Sequence, residues 1–405
     1  MPKNSLIFPN EFQLDGTASD SGIGALEIAI NNLGIASKSG AMRQANAIRI
    51  GGLGSIKNQN RGMPTLNTLL PTRSVGRFTV TPSEPSGTVG YFIGGFGDNS
   101  SGQDISLQQR RLDRFVFATT LIVNLGSQIN IHSAYSFGNT QYGYYCWAPG
   151  GSRFFGRFTF QTETTARTGS VIFPSRYQGA SLKNQNRGYI CAGISTSNGS
   201  IYGNVDRFSF AGEVCVSIAT LLQVKNVNTA FGNKFNGYIG GGLTANGGMS
   251  VSNNIERFSY AAETTAIISA VFSSTRAMLP TWTPSSPSAA YVVSGYTYNS
   301  LPVGSAARGY SINTIDRFVF TGETCAALGV ILVKGLRWAA AVGNNTRCIL
   351  GGGISYSDSY ETQSVLVNEV SEMRAINYAT ETHEMLGCTL SIGRYASIGL
   401  DNQGI

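Results

Sequence analysis

The chain has 405 residues, of which 13% are charged, 42% are hydrophobic and 50 are glycine. A long disordered protein would be poorer in apolar residues and richer in charge, so this balance points instead to many short strands and many turns. The net charge of +7 is spread thinly, and the longest basic run is Arg110-Arg111, so nucleic-acid binding is not expected.

The N-terminus, Met1 to Pro9, lacks the apolar core of about 7–15 residues that a signal peptide needs. Residues 1–46 fall outside the repeat described below and are expected to form a docking arm or plug. Gly24 to Asn32 would be a short helix or an added strand. Residues 47–405 carry the repeat and are expected to make one domain.

An aromatic-apolar strand ending in small residues recurs along the chain. The copies are Ile48 to Gly52, Tyr91 to Gly95, Tyr144 to Ala148, Tyr189 to Gly193, Tyr238 to Gly242, Tyr291 to Gly295 and Cys348 to Gly352. Their last positions lie 43–57 residues apart. A segment of small residues precedes most copies, as in His132 to Tyr135, Arg337 to Ala341 and Arg394 to Ser397. Small residues suit a strand close to a crowded axis. After each copy comes a loop and then an Arg-Phe strand: Arg114-Phe115, Arg157-Phe158, Arg207-Phe208, Arg257-Phe258, Arg317-Phe318 and a degenerate Ala375-Ile376. The alternation of Phe with polar residues has period 2, which means one buried and one exposed face. Glu163, Glu213, Glu263, Glu323 and Glu381 each lie six residues beyond that Arg position. A Thr-rich outer strand follows.

This order and period resemble the kelch repeat, whose period is about 50 residues. The resemblance implies an all-β fold, a seven-bladed kelch-like β-propeller. The last small-residue strand, Arg394 to Leu400, has no glycine strand after it, and Ile48 to Gly52 has no clear partner before it. Pairing them would close the ring through its N- and C-terminal strands and remove exposed sheet edges. Six blades plus an irregular segment is the alternative, because Gly52 and Arg73 lie close together.

No catalytic constellation stands out, so no enzyme, metal or cofactor is expected. Cys146 and Cys191 occupy a column held elsewhere by Ile50, Ile93, Val293 and Leu350, and Cys215 and Cys325 replace Thr165 and Thr265. Residues interchangeable with Ile or Thr fill space. The Arg and Glu columns repeat in every blade, whereas a catalytic group is needed once, so they read as structural, as turn-bridging ion pairs or backbone hydrogen bonds. His132 and His383 are the only histidines. They fall on an inner and an outer segment, too far apart for a copper site like that of galactose oxidase. The most apolar stretch, Cys325 to Gly343, reads as two buried strands and a turn, not a membrane span.

The loops after the glycine strands, Phe96–Leu112, Ile194–Val205, Leu243–Asn254, Tyr296–Ile315 and Ile354–Met373, all leave one face. They are rich in Ser, Asn, Gly and Tyr, a composition suited to adaptable contact. Tyr202, Tyr296, Tyr298, Tyr310, Tyr356 and Tyr360 are the expected ligand-binding residues, stacking on sugar rings or a protein partner. Kelch-like chains with so little charge and such loops resemble proteins of tailed bacteriophages, including cyanophages. The resemblance implies a virion location, a tail or fibre protein bound to other virion proteins through residues 1–46 in a multi-subunit assembly. Its loop face would meet a host-surface glycan. A purely structural virion protein (baseplate, neck or capsid decoration) is the alternative, and an intracellular kelch adaptor the weaker third.

Overall fold

The computed structural model describes residues 87–97, 110–127, 129–146, 153–244, 250–298, 309–355 and 368–403. These are all-β, with no helix among the described residues, and Ser83–Ile405 form one compact unit. Ile48 to Gly52 and residues 1–46 lie outside them.

Six antiparallel sheets are each built around one glycine strand. Sheet 1 contains Val89–Ile93, Arg111–Val116 and Leu121–Ser127, and its innermost strand is Ile398–Asp401. Sheet 2 runs Tyr135–Gly138, Tyr142–Cys146, Phe154–Thr159 and Thr164–Val171. Sheet 3 runs Ala180–Lys183, Arg187–Cys191, Asn204–Ser209 and Val214–Thr220. Sheet 4 runs Thr229–Gly232, Asn236–Gly240, Asn254–Ser259 and Thr264–Val271. Sheet 5 has three strands, Ala289–Val293, Thr314–Val319 and Thr324–Ile331. Sheet 6 runs Ala340–Gly343, Arg347–Gly351, Glu372–Asn377 and His383–Thr389.

The final strand therefore pairs differently from the sequence expectation. Tyr91 faces Leu400 and Ile93 faces Ile398, so the partner is the Tyr91 copy and not the Ile48 copy. The physical reason is that Val89–Ile93 has no inner strand supplied from before it among the described residues, and the apolar Ile398 and Leu400 bury fully there.

Burial falls from inside to outside, as the sequence pattern requires. The inner strands are buried at all but one position, the Arg-Phe strands at about half of theirs, always including the Phe position, and the outer strands are mostly exposed. This corrects the reading of Cys325 to Gly343: Thr324–Ile331 is a half-exposed outer strand, and only Ala340–Gly343 is fully buried. An outer strand has a neighbour on one edge only, so apolar residues there stay partly wet. Sheet 5 lacks a regular inner strand, keeping one bridge between Ser285 and Ala290. Its inner segment holds Pro280, Pro284 and Pro287, which cannot donate ladder hydrogen bonds.

Sheets 1 to 5 each pack on the next through one aromatic interlock. The tyrosine of a glycine strand lies against the Phe of the next sheet's Arg-Phe strand: Tyr91 on Phe158 at 4.8 Å, Tyr144 on Phe208 at 4.8 Å, Tyr189 on Phe258 at 5.0 Å and Tyr238 on Phe318 at 4.6 Å. Tyr291 stacks on Tyr378 at 5.4 Å. Glycine beside these tyrosines admits a neighbour's side chain; a Cβ on Gly188 would lie 2.1 Å from the Phe137 ring.

The Arg and Glu columns bridge sheets and not turns, which corrects the local pairing expected from sequence. Arg114 pairs with Glu163, Arg157 with Glu213, Arg207 with Glu263, Arg257 with Glu323 and Arg317 with Glu381. Each Glu sits in the tight turn of the following sheet at positive φ, 49° to 54°. The junction from sheet 6 to sheet 1 changes all its members together. Ile349 stands for Tyr, Ala375 for Arg and Thr120 for Glu, and Arg347 instead donates to Phe117 O and, at 3.1 Å, to Thr120 Oγ1. Glu263 accepts from both Arg187 and Arg207, so Glu263→Ala should cost about 1 kcal/mol in urea denaturation. Glu263→Gly should cost less, because glycine relieves the φ of 53°. A glycine variant weaker than the alanine one would contradict this account.

Candidate binding face

The connections from glycine strand to Arg-Phe strand, and from each outer strand to the next inner one, leave the sheets at the same end. They pair there in small second-tier sheets. Arg176–Tyr177 pairs with Ile194–Ser195, and Lys225–Asn226 with Leu243–Thr244. Tyr296–Tyr298 pairs with Gly309–Ser311, and Leu336–Arg337 with Ile354–Ser355. Kinks at the glycine doublets separate this tier from the sheets below. The second doublet position, as in Gly242 with φ of 99°, tolerates only glycine, since a Cβ would meet Asn226 O at 2.6 Å.

Beneath the tier lie fully buried ion pairs that the sequence pattern did not reveal. Arg176 bonds Asp206 at 2.8 Å, Lys225 meets Glu256 at 3.4 Å, Arg276 meets Asp316 at 3.1 Å and Arg394 bonds Asp113 at 3.0 Å. Each ties the segment entering a sheet to that sheet's Arg-Phe strand. In the other two sheets both columns change: Ile131 accompanies Gly156, and Leu336 accompanies Arg374. Tyr145 fills the first gap, since a Cβ on Gly156 would lie 2.0 Å from its ring. Arg374 turns to Lys334 O at 2.7 Å and to Glu372. The buried carboxylate of this column stands only where its buried cation stands.

At the centre, one residue per sheet forms a cycle of backbone hydrogen bonds. Ser133 N donates to Ala396 O (2.7 Å), Gln178 N to Ser133 O (3.2 Å) and Val227 N to Gln178 O (2.5 Å). Met278 N donates to Val227 O (2.9 Å), Trp338 N to Met278 O (2.7 Å) and Ala396 N to Trp338 O (2.8 Å). All six are non-glycine residues with φ between 46° and 58°. That conformation costs about 1–2 kcal/mol each, which the cycle offsets by giving all six amides a hydrogen-bond acceptor.

Around this cycle stands a group of aromatic side chains. His132 lies on Phe96 with ring centroids 3.9 Å apart, and Phe96 on Tyr395 at 5.5 Å. Tyr395 stacks on Trp338 at 5.5 Å and 22°. The Arg337 guanidinium sits over both Tyr296 (4.9 Å) and Trp338 (5.5 Å). The Trp338 indole N–H is buried with no hydrogen-bond partner. Burial lowers the His132 pKa to about 4, so its ring is neutral near pH 7.

The expected tyrosines are not brought together as one surface. Tyr296 is buried beneath Arg337, Tyr202 is half-buried, and Tyr310 is 49% exposed. Tyr298 is in the small strand opposite Gly309. Tyr356 and Tyr360 lie outside the described residues, as do parts of every long loop except Ile194–Val205. Phe96, His132, Arg337, Trp338 and Tyr395 were not read as site residues from sequence. The available signal was positional, because each stands at or beside the start of an inner segment or just after a glycine doublet.

The six cysteines are free thiols, and burial pushes Cys215 and Cys325 up to about 12, leaving them protonated packing groups. Among the described residues no cluster of three or more His, Cys, Asp or Glu is placed to hold a metal ion. No helix there is long and apolar enough to cross a membrane, which says nothing of a β-barrel.

Small antiparallel sheets that share aromatic interlocks and a common centre define an all-β, propeller-like scaffold. The comparisons with known proteins agree at that level. The solved structure titled "Structure of YjhT", a kelch-type β-propeller, is similar with a TM-score of 0.55 and 13% identity, over 66% of this chain and 86% of that one. No protein-family model matches the chain, and no curated protein is similar to it in sequence.

Proposed function

We propose that residues 87–403 form a six-bladed kelch-like propeller that works as a non-enzymatic binding scaffold, with the loop face as its contact surface. The six-membered hydrogen-bond cycle and the final strand inside sheet 1 support closure with six blades. The observation that carries the function is the Trp338–Tyr395 stack beside Arg337 at the centre of the loop face. Trp, Tyr and Arg are the residues that concentrate binding energy, and their flat faces suit sugar rings. The buried ion pairs below hold this surface rigid, which reduces the ordering cost of binding.

The partner we propose is a glycan on a host cell, with the protein carried on a virion. The virion assignment rests on the resemblance of its low charge and Asn/Ser/Gly/Tyr loops to tailed-phage kelch-like proteins. Labelled protein should bind candidate host cells and their extracted surface polysaccharide saturably. Arg337→Ala and Tyr310→Ala should each weaken that binding about 10-fold, corresponding to roughly 1.4 kcal/mol. Absence of saturable binding, with the protein present in purified particles, would move the assignment to a purely structural virion component.

A further inference from the structure

The opposite end of the axis, where the hairpins between inner and glycine strands emerge, holds a cleft of about 250 Å³. Its wall includes Lys183, Asn233, Lys234, Phe235, Trp282 and Asn345. It opens where the prolines around Trp282 interrupt the inner strand of sheet 5. Trp282 is 7% exposed, and its indole N–H is buried without a hydrogen-bond partner. Phe235 is 64% exposed on the rim, with Lys234 Nζ 4.9 Å from its ring centroid.

The hydrogen-bonding groups of this wall are unbalanced. Asn233 Oδ1 already accepts from Phe235 N and Asn236 N, and Asn345 Oδ1 accepts from Gln403 Nε2. Ser286 Oγ is engaged with the backbone of Ala289 and Ser288. Lys183 Nζ spends two of its three N–H bonds on Asp401 Oδ1 (2.8 Å) and Gln403 O (3.1 Å). The amide oxygens of Asn233 and Asn345 and the Ser286 hydroxyl are thus engaged, while donors remain on Trp282, Lys183, Lys234 and the amide nitrogens of Asn233 and Asn345. Asp401 neutralises Lys183, which leaves Lys234 as the uncompensated charge of the wall.

We infer that this cleft binds a small monoanionic carboxylate carrying one ring. The carboxylate supplies the acceptors and the negative charge that the wall lacks, and the ring lies against Trp282 and Phe235. The volume is below the range of about 300–1,000 Å³ typical of drug-sized ligands, which limits the occupant to a single ring. A sugar acid and an aromatic acid share this chemistry.

Isothermal titration and saturation-transfer NMR with sodium D-glucuronate and sodium benzoate test the site, with methyl glucoside and benzyl alcohol as neutral controls. At least one acid should bind saturably with a millimolar-range Kd, and which acid binds tighter identifies the source. Trp282→Phe keeps a ring and removes the N–H; it and Lys234→Ala should each weaken binding about 3- to 10-fold, and added salt should weaken it further. Melting curves of both variants establish that they fold. Neutral controls binding as well as the acids, no saturation up to about 10 mM, or unchanged binding in folded Trp282→Phe would each overturn the inference. Arg337→Ala, at the other end of the axis, should leave carboxylate binding unchanged, so this site and the loop-face reading fail separately.

Discussion

Asp113→Ala should destabilise the protein by about 3–5 kcal/mol, because it leaves the Arg394 guanidinium fully buried without its counter-charge. Asp113 accepts from Arg394, from Ser391 N at 3.0 Å and from Ser391 Oγ at 2.9 Å, so one substitution orphans three donors. The double variant Asp113→Leu/Arg394→Met should cost much less than the sum of its singles. The chain itself indicates this, since Ile131 with Gly156 is the same two columns with the pair removed jointly. Denaturant midpoints of the four proteins give the coupling energy. Additive costs would mean that the pair does not act as a unit.

The second large effect is expected from ending the chain at Ala396. This removes Ile398–Asp401, whose ladder with Val89–Ile93 completes sheet 1. It also removes Asp401, which bonds Lys183 of sheet 3 at 2.8 Å and accepts from Gly343 N of sheet 6 at 3.0 Å. Buried Ile398 and Leu400 go with it, each contributing roughly 1.5–3 kcal/mol. Together these exceed a large share of the 5–15 kcal/mol that typically separates folded from unfolded protein. The truncated chain should therefore lose its cooperative thermal transition by near-UV circular dichroism. A transition at the full-length temperature would show that the last strand is dispensable for stability.

Much of the scaffold was legible because it repeats. The Tyr of most glycine strands and the Phe of most Arg-Phe strands recur at fixed offsets, so strand order and facing could be read from the repeat period and period-2 alternation. The partners of those strands were not. The sequence places Arg207 six residues before Glu213, yet its carboxylate partner is Glu263, in the next sheet. Local spacing cannot distinguish a pair within one sheet from a pair between two sheets with identical patterns. The same ambiguity misassigned the last strand, because any glycine strand lacking an inner neighbour fits the Ile398–Leu400 pattern equally well.

The candidate sites divide in the same way. Tyr310 is exposed on the loop face as its composition implied, whereas Tyr296 is covered by Arg337, a residue 41 positions later. Trp338, Tyr395 and Phe96 meet only because the centre gathers segments from two different sheets, residues of which stand far apart in sequence. Likewise Lys183, Trp282 and Asn345 share one cleft from three hairpin ends. By itself the sequence determined the strands, their order within each repeat and the structural nature of the cysteines, since all of these follow from local periodicity and interchangeable columns. Only the tertiary structure decided which glycine strand the final strand joins, which charges pair across sheets and which aromatics assemble at each end of the sheets. Those outcomes depend on contacts between residues tens to hundreds of positions apart, which packing selects and local pattern does not encode.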